Sequence, residues 1–399
     1  MERKGKIEFN LLTVLTYLVS PFLALPLILY GMIKNMRMSA FFYGISVAFV
    51  SFLYIPPFEW DKARHMEFYN FSKILSLKEF FEINFKSQPD FIFRLLLFIG
   101  AQININVHYI FFFVTFITVY LIFKVYFKEY NKPNIIGKYS LLIVPLFIFS
   151  ISYTDIISGL RYTLAISFIF YGYYTGLLEK KKSSVIWILL GVFTHFSVIL
   201  FALLFIFFPL TKNIKLKWLK LALLFSTFFI LIPEKIMLQF FVGIGMGDVV
   251  DAKLNAYLDK TVIVEVDSFA VKVINFFNVI WVIILNGVLL LRKNKNESVY
   301  VRILMILLIT TNIFISFPII YNRYNLFLKL FLVLFLLREE VQYNKIKLTL
   351  VFTTFLFMIF FNQIIVMRVV LVDMLQPEFQ KWSFIYTIFE NNFGLKDIK

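Results

Sequence analysis

Apolar runs of about 20 residues recur along this chain from Leu11 to Val370, the length a helix needs to cross a hydrocarbon core about 30 Å thick at about 1.5 Å per residue. The constraint is severe. Backbone N–H and C=O groups inside a bilayer find no water and must be bonded within helices or a closed barrel. Stretches near 11–33, 39–55, 103–123, 139–154, 158–178, 217–232, 269–291, 302–318, 324–338 and 346–370 qualify. They predict an all-α, polytopic integral membrane protein of about ten transmembrane helices, organised as a single transmembrane domain over residues 1–399. Composition agrees: 60% of the residues are hydrophobic, 53 are Phe, and 16% are charged, against about 25% charged in an ordinary soluble domain. A soluble globular fold is therefore excluded. The first run follows Met-Glu-Arg-Lys, but it is too long for a signal peptide and lacks a small-residue cleavage site, so it reads as a retained span.

The net charge of +16 has a location. Six loops, Lys34–Arg37, Lys124–Lys138, Glu179–Lys182, Lys212–Lys220, Arg292–Arg302 and Arg338–Lys347, hold 20 of the 40 Lys/Arg but only 5 of the 24 acidic residues. Short loops of this kind stay cytoplasmic. The longer external loops 56–90 and 234–268 then lie outside and contribute to an outward-facing cavity, and both termini are expected outside as well. No basic tract stands apart from the apolar runs, so nucleic acid is not the expected partner. The chain has no cysteine and three histidines, which leaves no thiolate nucleophile and makes a zinc site a poor expectation. No metal and no cofactor is expected.

One stretch breaks the alternation. Residues 184–208 have a basic loop on each side. Either they cross once, against the charge rule, or they form a re-entrant hairpin turning near Gly191 and the Thr194-His195 pair. Each arm would be about 11 to 14 residues, too short to span alone. The shorter run 91–102 leads straight into the next span and is left uncounted.

Ionisable groups at the mouths of membrane segments are costly and face a cavity or a partner. After the second span, a helix from Glu59 onward would put Asp61, His65 and Tyr69 on one face at i, i+4 and i+8, with Arg64 beside them. A carboxylate, an imidazole and a phenol on one stripe can bind a sugar and move a proton. Arg161 and Tyr162 open a later span from its outer side, and a guanidinium there suits a phosphate bidentately. Arg323 and Tyr324 stand at the outer mouth of another span. Two arginines converging on one cavity would match a pyrophosphate. His195 lies among phenylalanines with Thr194 and Ser197, and its imidazole suits proton transfer near neutrality. His108 starts a span and reads as interfacial. The acidic outer loop carries Asp248, Asp251, Asp259 and Tyr257; it lacks tight metal spacing and reads as solvated, with Tyr257 placed to stack on a sugar.

Taken in order, the Asp61 to Tyr69 stretch, the Arg161-Tyr162-Thr163-Leu164-Ala165 helix start, the basic Glu179–Lys182 loop, Phe193-Thr194-His195-Phe196-Ser197 and the late Arg323-Tyr324 resemble the EpsG-like branch of Wzy-type polysaccharide polymerases over roughly residues 40 to 330. Two motifs depart from it: Glu59-Trp60 stands where a Gly-Thr or Gly-Ser is usual, and Ile385-Tyr386 where a Pro-Tyr pair is often found. The resemblance implies a GT-C-like membrane glycosyltransferase at the outer face of the bacterial inner membrane. It would join oligosaccharide repeat units carried on undecaprenyl pyrophosphate, with a chain-length regulator as a further partner. His195 or Asp61 would be the catalytic base; Arg161, Arg323, Arg64, His65, Tyr69, Tyr162, Tyr324 and Tyr257 would bind substrate. Rival expectations are a flippase for the same lipid-linked oligosaccharide, an O-antigen ligase-type transferase, and a membrane acyltransferase, for which His195 lacks an obvious partner.

Overall fold

The computed structural model describes residues 3–57, 60–87, 91–131, 139–233, 236, 269–292, 298–342 and 345–374. Among these every regular element is helical. Tyr257, the acidic outer loop around it and the segment holding Ile385-Tyr386 lie outside the described residues. The chain falls into two compact units, residues 1–209 with 367–399, and residues 210–366.

The first unit contains α1 (Arg3–Val19), α2 (Pro21–Ile33), α3 (Arg37–Leu53), α4 (Asp61–Ser72), α5 (Leu77–Ser87), α6 (Ile92–Gln102), α7 (Val107–Tyr130), α8 (Ser140–Phe149), α9 (Tyr153–Ser158), α10 (Leu160–Tyr173), α11 (Ser184–Thr194) and most of α12 (Ile199–Thr211). Several of the apolar stretches are interrupted. The 11–33 run breaks at Ser20, which is extended, because Pro21 disfavours helical backbone in the residue before it. The 139–154 run yields a ten-residue helix with Pro145 inside it. The 91–102 run is a helix of its own, separated from α7 by a turn in which Asn104 takes φ 53° and Asn106 caps the first turn of α7 by accepting from the His108 amide at 3.0 Å. Among the described residues, four helical stretches are long and apolar enough to cross a membrane by themselves: Val107–Tyr130, Lys272–Leu291, Ile320–Val341 and Ile346–Ile365.

The 184–208 stretch is a broken hairpin. Helix α11 stops at His195, whose backbone is extended, and a short 3₁₀ turn over Phe196–Val198 leads into α12. The α11 arm runs antiparallel to α10. Gly172 faces Ile188, Gly191 faces Ile169, and His195 reaches Tyr162. The α12 arm then returns: the Tyr173 hydroxyl donates to the Phe201 carbonyl at 2.6 Å, and a Cβ placed on Gly176 would fall 2.6 Å from the Phe205 ring and 2.7 Å from Ser184 Oγ. The start of α11 and the middle of α12 thus meet at the same end of α10. The arms have 11 and 13 residues, roughly 16 to 20 Å of helix, too short to span singly.

The ends of the first unit are chemically distinct. At one end the basic loops gather: Tyr130 donates to the Ile33 carbonyl at 3.0 Å, Asn35 bonds Asn131, and Lys128 pairs with Glu179 at 2.9 Å. At the other, α4 and α6 pack against the starts of α7 and α10 through Met66, Tyr69, Phe93, Leu97, Val107, Phe111 and Leu160. There α3 ends. Its last carbonyls have no partner inside the helix, and two side chains supply donors: Lys62 Nζ to Ser51 O at 2.5 Å and Tyr54 O at 2.7 Å, and His108 Nδ1 to Phe52 O at 2.9 Å. Both residues are buried. His108 is therefore a core residue that ties α7 to α3, not the interfacial one expected, because α4 packs over the start of α7.

The second unit contains α13 (Leu216–Thr227), α14 (Phe269–Leu291), α15 (Val299–Ile313), α16 (Pro318–Phe335), which continues as a π turn over Leu336–Val341, and most of α17 (Ile346–Met374). Polar side chains bind its helices together: Asn312 donates to Ser226 at 2.9 Å and to Asn286 at 3.2 Å, and Arg292 pairs with Glu340 at 2.7 Å and with Glu339.

Two expectations follow. Lys62→Met leaves two buried carbonyls without a donor and should destabilise the protein by about 1–3 kcal/mol, read as a lower thermal midpoint in detergent. Gly191→Val places a Cβ 2.7 Å from Ile169 and 3.1 Å from the Ala165 carbonyl; prying α11 off α10 should cost about 1–3 kcal/mol in the same measurement, whereas an unchanged midpoint would show that the hairpin is not packed this way.

Candidate functional site

The site is built at the end of the first unit opposite the basic loops. Four elements meet there. Helix α4 starts at Asp61, so Asp61, His65 and Tyr69 do share a helix at i, i+4 and i+8. Helix α6 brings Phe93 against the His65 ring, with centroids 4.6 Å apart, and carries Arg94, whose guanidinium lies over Phe68 at 5.3 Å. Helix α10 carries Arg161 and Tyr162 in its first turn. The hairpin turn carries His195, whose ring meets Tyr162 edge-on at 5.5 Å, while Phe193, two residues earlier, packs on Phe91 at 5.7 Å.

The electrostatics centre on His65. Burial, then the positive charges of Arg161, Arg64 and Arg94, push its pKa from the ordinary 6.5 down to about 3. Three guanidiniums from three helices therefore act on one imidazole, which stays neutral at physiological pH. Arg64 also pairs with Asp61 at the exposed start of α4. Arg94 escapes a sequence reading because it sits in a short apolar run, Phe91-Ile92-Phe93-Arg94-Leu95-Leu96-Leu97, where an arginine reads as snorkelling to the interface. The usable signal was its cost in that run, the same signal that singles out Arg161.

His195 is held in one role. Its Nδ1 accepts from the Ser197 amide at 3.2 Å and lies 2.9 Å from Ser197 Oγ. A backbone N–H can only donate, so the neutral ring carries its proton on Nε2. Tyr69 is also committed: it is buried and its hydroxyl donates to the Ile105 carbonyl. It fastens α4 to the turn before α7.

The structure thus brings Asp61, Arg64, His65, Arg161, Tyr162 and His195 to one end of one unit. Arg323 and Tyr324 belong to the second unit, near the start of α16, where Tyr324 is buried with its ring edge-on to Phe314 at 5.0 Å.

Comparison with known proteins gives one family. Neither a curated protein nor a solved structure matches the chain. The EpsG family profile matches residues 41–376, a range that takes in α4, α6, α10 and the hairpin that build the site, together with Arg323. Its helices, apolar over membrane-crossing lengths, and this match over most of its length establish the chain as a membrane protein belonging to the EpsG family.

Proposed function

We propose that the chain is a polysaccharide polymerase that joins oligosaccharide repeat units carried on undecaprenyl pyrophosphate at the outer face of the bacterial inner membrane. The observation that carries this reading is the field of Arg64, Arg94 and Arg161 at His65, at the end of the unit away from the basic loops. A glycosyl transfer from a lipid pyrophosphate needs a base for the acceptor hydroxyl and charge and orientation at the leaving group. Preorganised guanidiniums supply the charge and the orientation.

In this reaction a hydroxyl of the acceptor sugar attacks the anomeric carbon of the donor. The bond from that carbon to the pyrophosphate oxygen breaks, and the polyprenyl pyrophosphate departs with the electron pair. Arg161 and Arg94 face the developing negative charge, and His195 donates to it through Nε2–H. Neutral His65 keeps a fourth positive charge out of the cluster and can accept or donate a hydrogen bond to sugar. The acceptor's proton goes to Asp61, whose carboxylate Arg64 orients; the fixed tautomer of His195 makes it the weaker choice of base. Tyr162, beside His195, forms a wall for a sugar ring. Arg323 as a further phosphate ligand, external termini and a chain-length regulator as partner belong to the same reading.

Arg161→Ala and Arg94→Ala should each slow polymer formation by about a hundredfold or more in proteoliposomes supplied with lipid-linked repeat units, while Arg161→Lys, which keeps the charge but loses the planar fork, recovers part of the rate. Normal ladders from both alanine variants, with the protein folded, would sink the proposal. Arg323→Ala tests the second unit's contribution in the same assay.

His65 gives a pH test that does not need substrate. Its folded pKa, about 3, is below its unfolded value near 6.5, so the unfolded state binds the proton first as pH falls. Stability from this group is complete above about pH 6.5 and is lost as pH drops toward 3. His65→Gln should flatten that part of the pH dependence of the thermal midpoint, and Arg161→Gln, by letting the folded pKa rise, should raise the pH at which the loss levels off and make the total loss smaller.

A further inference from the structure

A second cationic feature lies at the other end of the first unit. A cavity of about 190 Å³ opens there between α3 and α7, lined by Arg37, Lys124 and Lys128 together with Phe41, Tyr120 and Phe123. Lys124 Nζ sits over the rings of Tyr171 at 4.9 Å and Tyr120 at 5.7 Å. Lys128 pairs with Glu179 at 2.9 Å, and Lys181 reaches the same carboxylate at 2.9 Å. Arg37 is exposed in the first turn of the 17-residue α3, where the helix N-terminus adds to the positive field.

The walls say what kind of anion fits. A soluble phosphate would be matched by polar groups on all sides, whereas this cavity has aromatic rings beneath its cations. Those rings continue outward as a stripe. Phe113, Phe116, Tyr120 and Lys124 recur on α7 at helical spacing, so they share one face. Phe116 stacks on Tyr120 at 5.7 Å and meets Phe41 edge-on at 5.3 Å. Phe113 is 53% exposed, and Phe41 and Tyr120 are each 38% exposed. A cation cluster at the end of an exposed aromatic stripe is the pattern of an amphiphile site, head on the cations and chain along the rings. Basic pockets between membrane helices on the cytoplasmic side recognise anionic lipid heads in this way, and the loops that flank this cavity are those with the cytoplasmic charge signature.

We infer that the α3–α7 cavity binds the phosphate head of an anionic membrane lipid, with Arg37 and Lys124 as its ligands and the Phe113–Phe116–Tyr120 stripe as the seat of its hydrocarbon chain. The site is independent of the arginine cluster at the opposite end. It therefore holds whether or not the polymerase reading does.

The test uses the full chain in phosphatidylcholine nanodiscs containing a minor fraction of phosphatidylglycerol, with protein-bound lipid counted by native mass spectrometry. The wild type should retain phosphatidylglycerol above its share of the bilayer. The double variant Arg37→Gln, Lys124→Gln should lose that enrichment by on the order of tenfold, whereas Lys182→Gln, an exposed lysine outside the cavity, and Lys124→Arg should keep it. Unchanged enrichment in the double variant, with a thermal midpoint like the wild type's, would overturn the inference. Release of the bound lipid by millimolar inorganic phosphate would overturn it as well, in favour of a soluble anion. Should the double variant not fold, Tyr120→Ala serves instead, and unchanged retention there has the same meaning.

Discussion

The end of α3 sets the geometry of everything around it. Its terminal carbonyls, at the boundary of an apolar run, must find donors, since a buried carbonyl without one costs about 1–3 kcal/mol. Lys62 from α4 and His108 from α7 provide them. Bonding to one helix end fixes α4 across the start of α7, with the Lys62 ammonium also over the rings of Tyr54 at 5.0 Å and Phe111 at 5.1 Å. Burial pushes the pKa of Lys62 well below that of an ordinary lysine, and the amine donates to its carbonyls in either protonation state. With α4 anchored through Lys62, His65 one turn later is carried to Phe93 and into the field of Arg161.

The hairpin solves a related problem. A turn between two short apolar helices exposes backbone groups that a membrane cannot satisfy. Here His195 Nδ1 takes the Ser197 amide, and Tyr173 donates to the Phe201 carbonyl. The close approach at Gly172, Gly176 and Gly191 lets the two arms lie on α10. The same bond that stabilises the turn fixes the imidazole's tautomer. At this residue the turn decides which ring nitrogen carries the proton.

The two ends of the first unit use cations differently. At one, guanidiniums from α4, α6 and α10 act electrostatically on a neutral imidazole that packs against Phe93. At the other, lysines lie on aromatic faces beside a carboxylate, with an exposed ring stripe leading away. Arg37 joins the lysines at the second end, so what separates the two ends is the surroundings of the cations: a buried imidazole at one, a carboxylate and aromatic faces at the other.

The sequence by itself determined the helical class, the membrane lengths of the apolar runs and the grouping of the basic loops, because hydropathy and charge act locally and leave a periodic record in the chain. It also pointed to Arg161 and His195 through the cost of polar groups in apolar company, and to His65 through its i, i+4, i+8 stripe with Asp61 and Tyr69. What only the tertiary structure decided was which of these meet and in what state. The break at Ser20–Pro21 and the ten-residue α8 depend on proline geometry within runs that hydropathy reads as continuous. Arg94 joins the site through the packing of α6 on α4, residues far from Arg161 in the chain. Tyr69 and His108 are turned inward, each bonded to a backbone carbonyl of another segment, and whether 184–208 crosses or returns depended on contacts between α12 and α10. Such pairings carry no local signature: they follow from satisfying every buried polar group at once, and only the folded chain contains that solution.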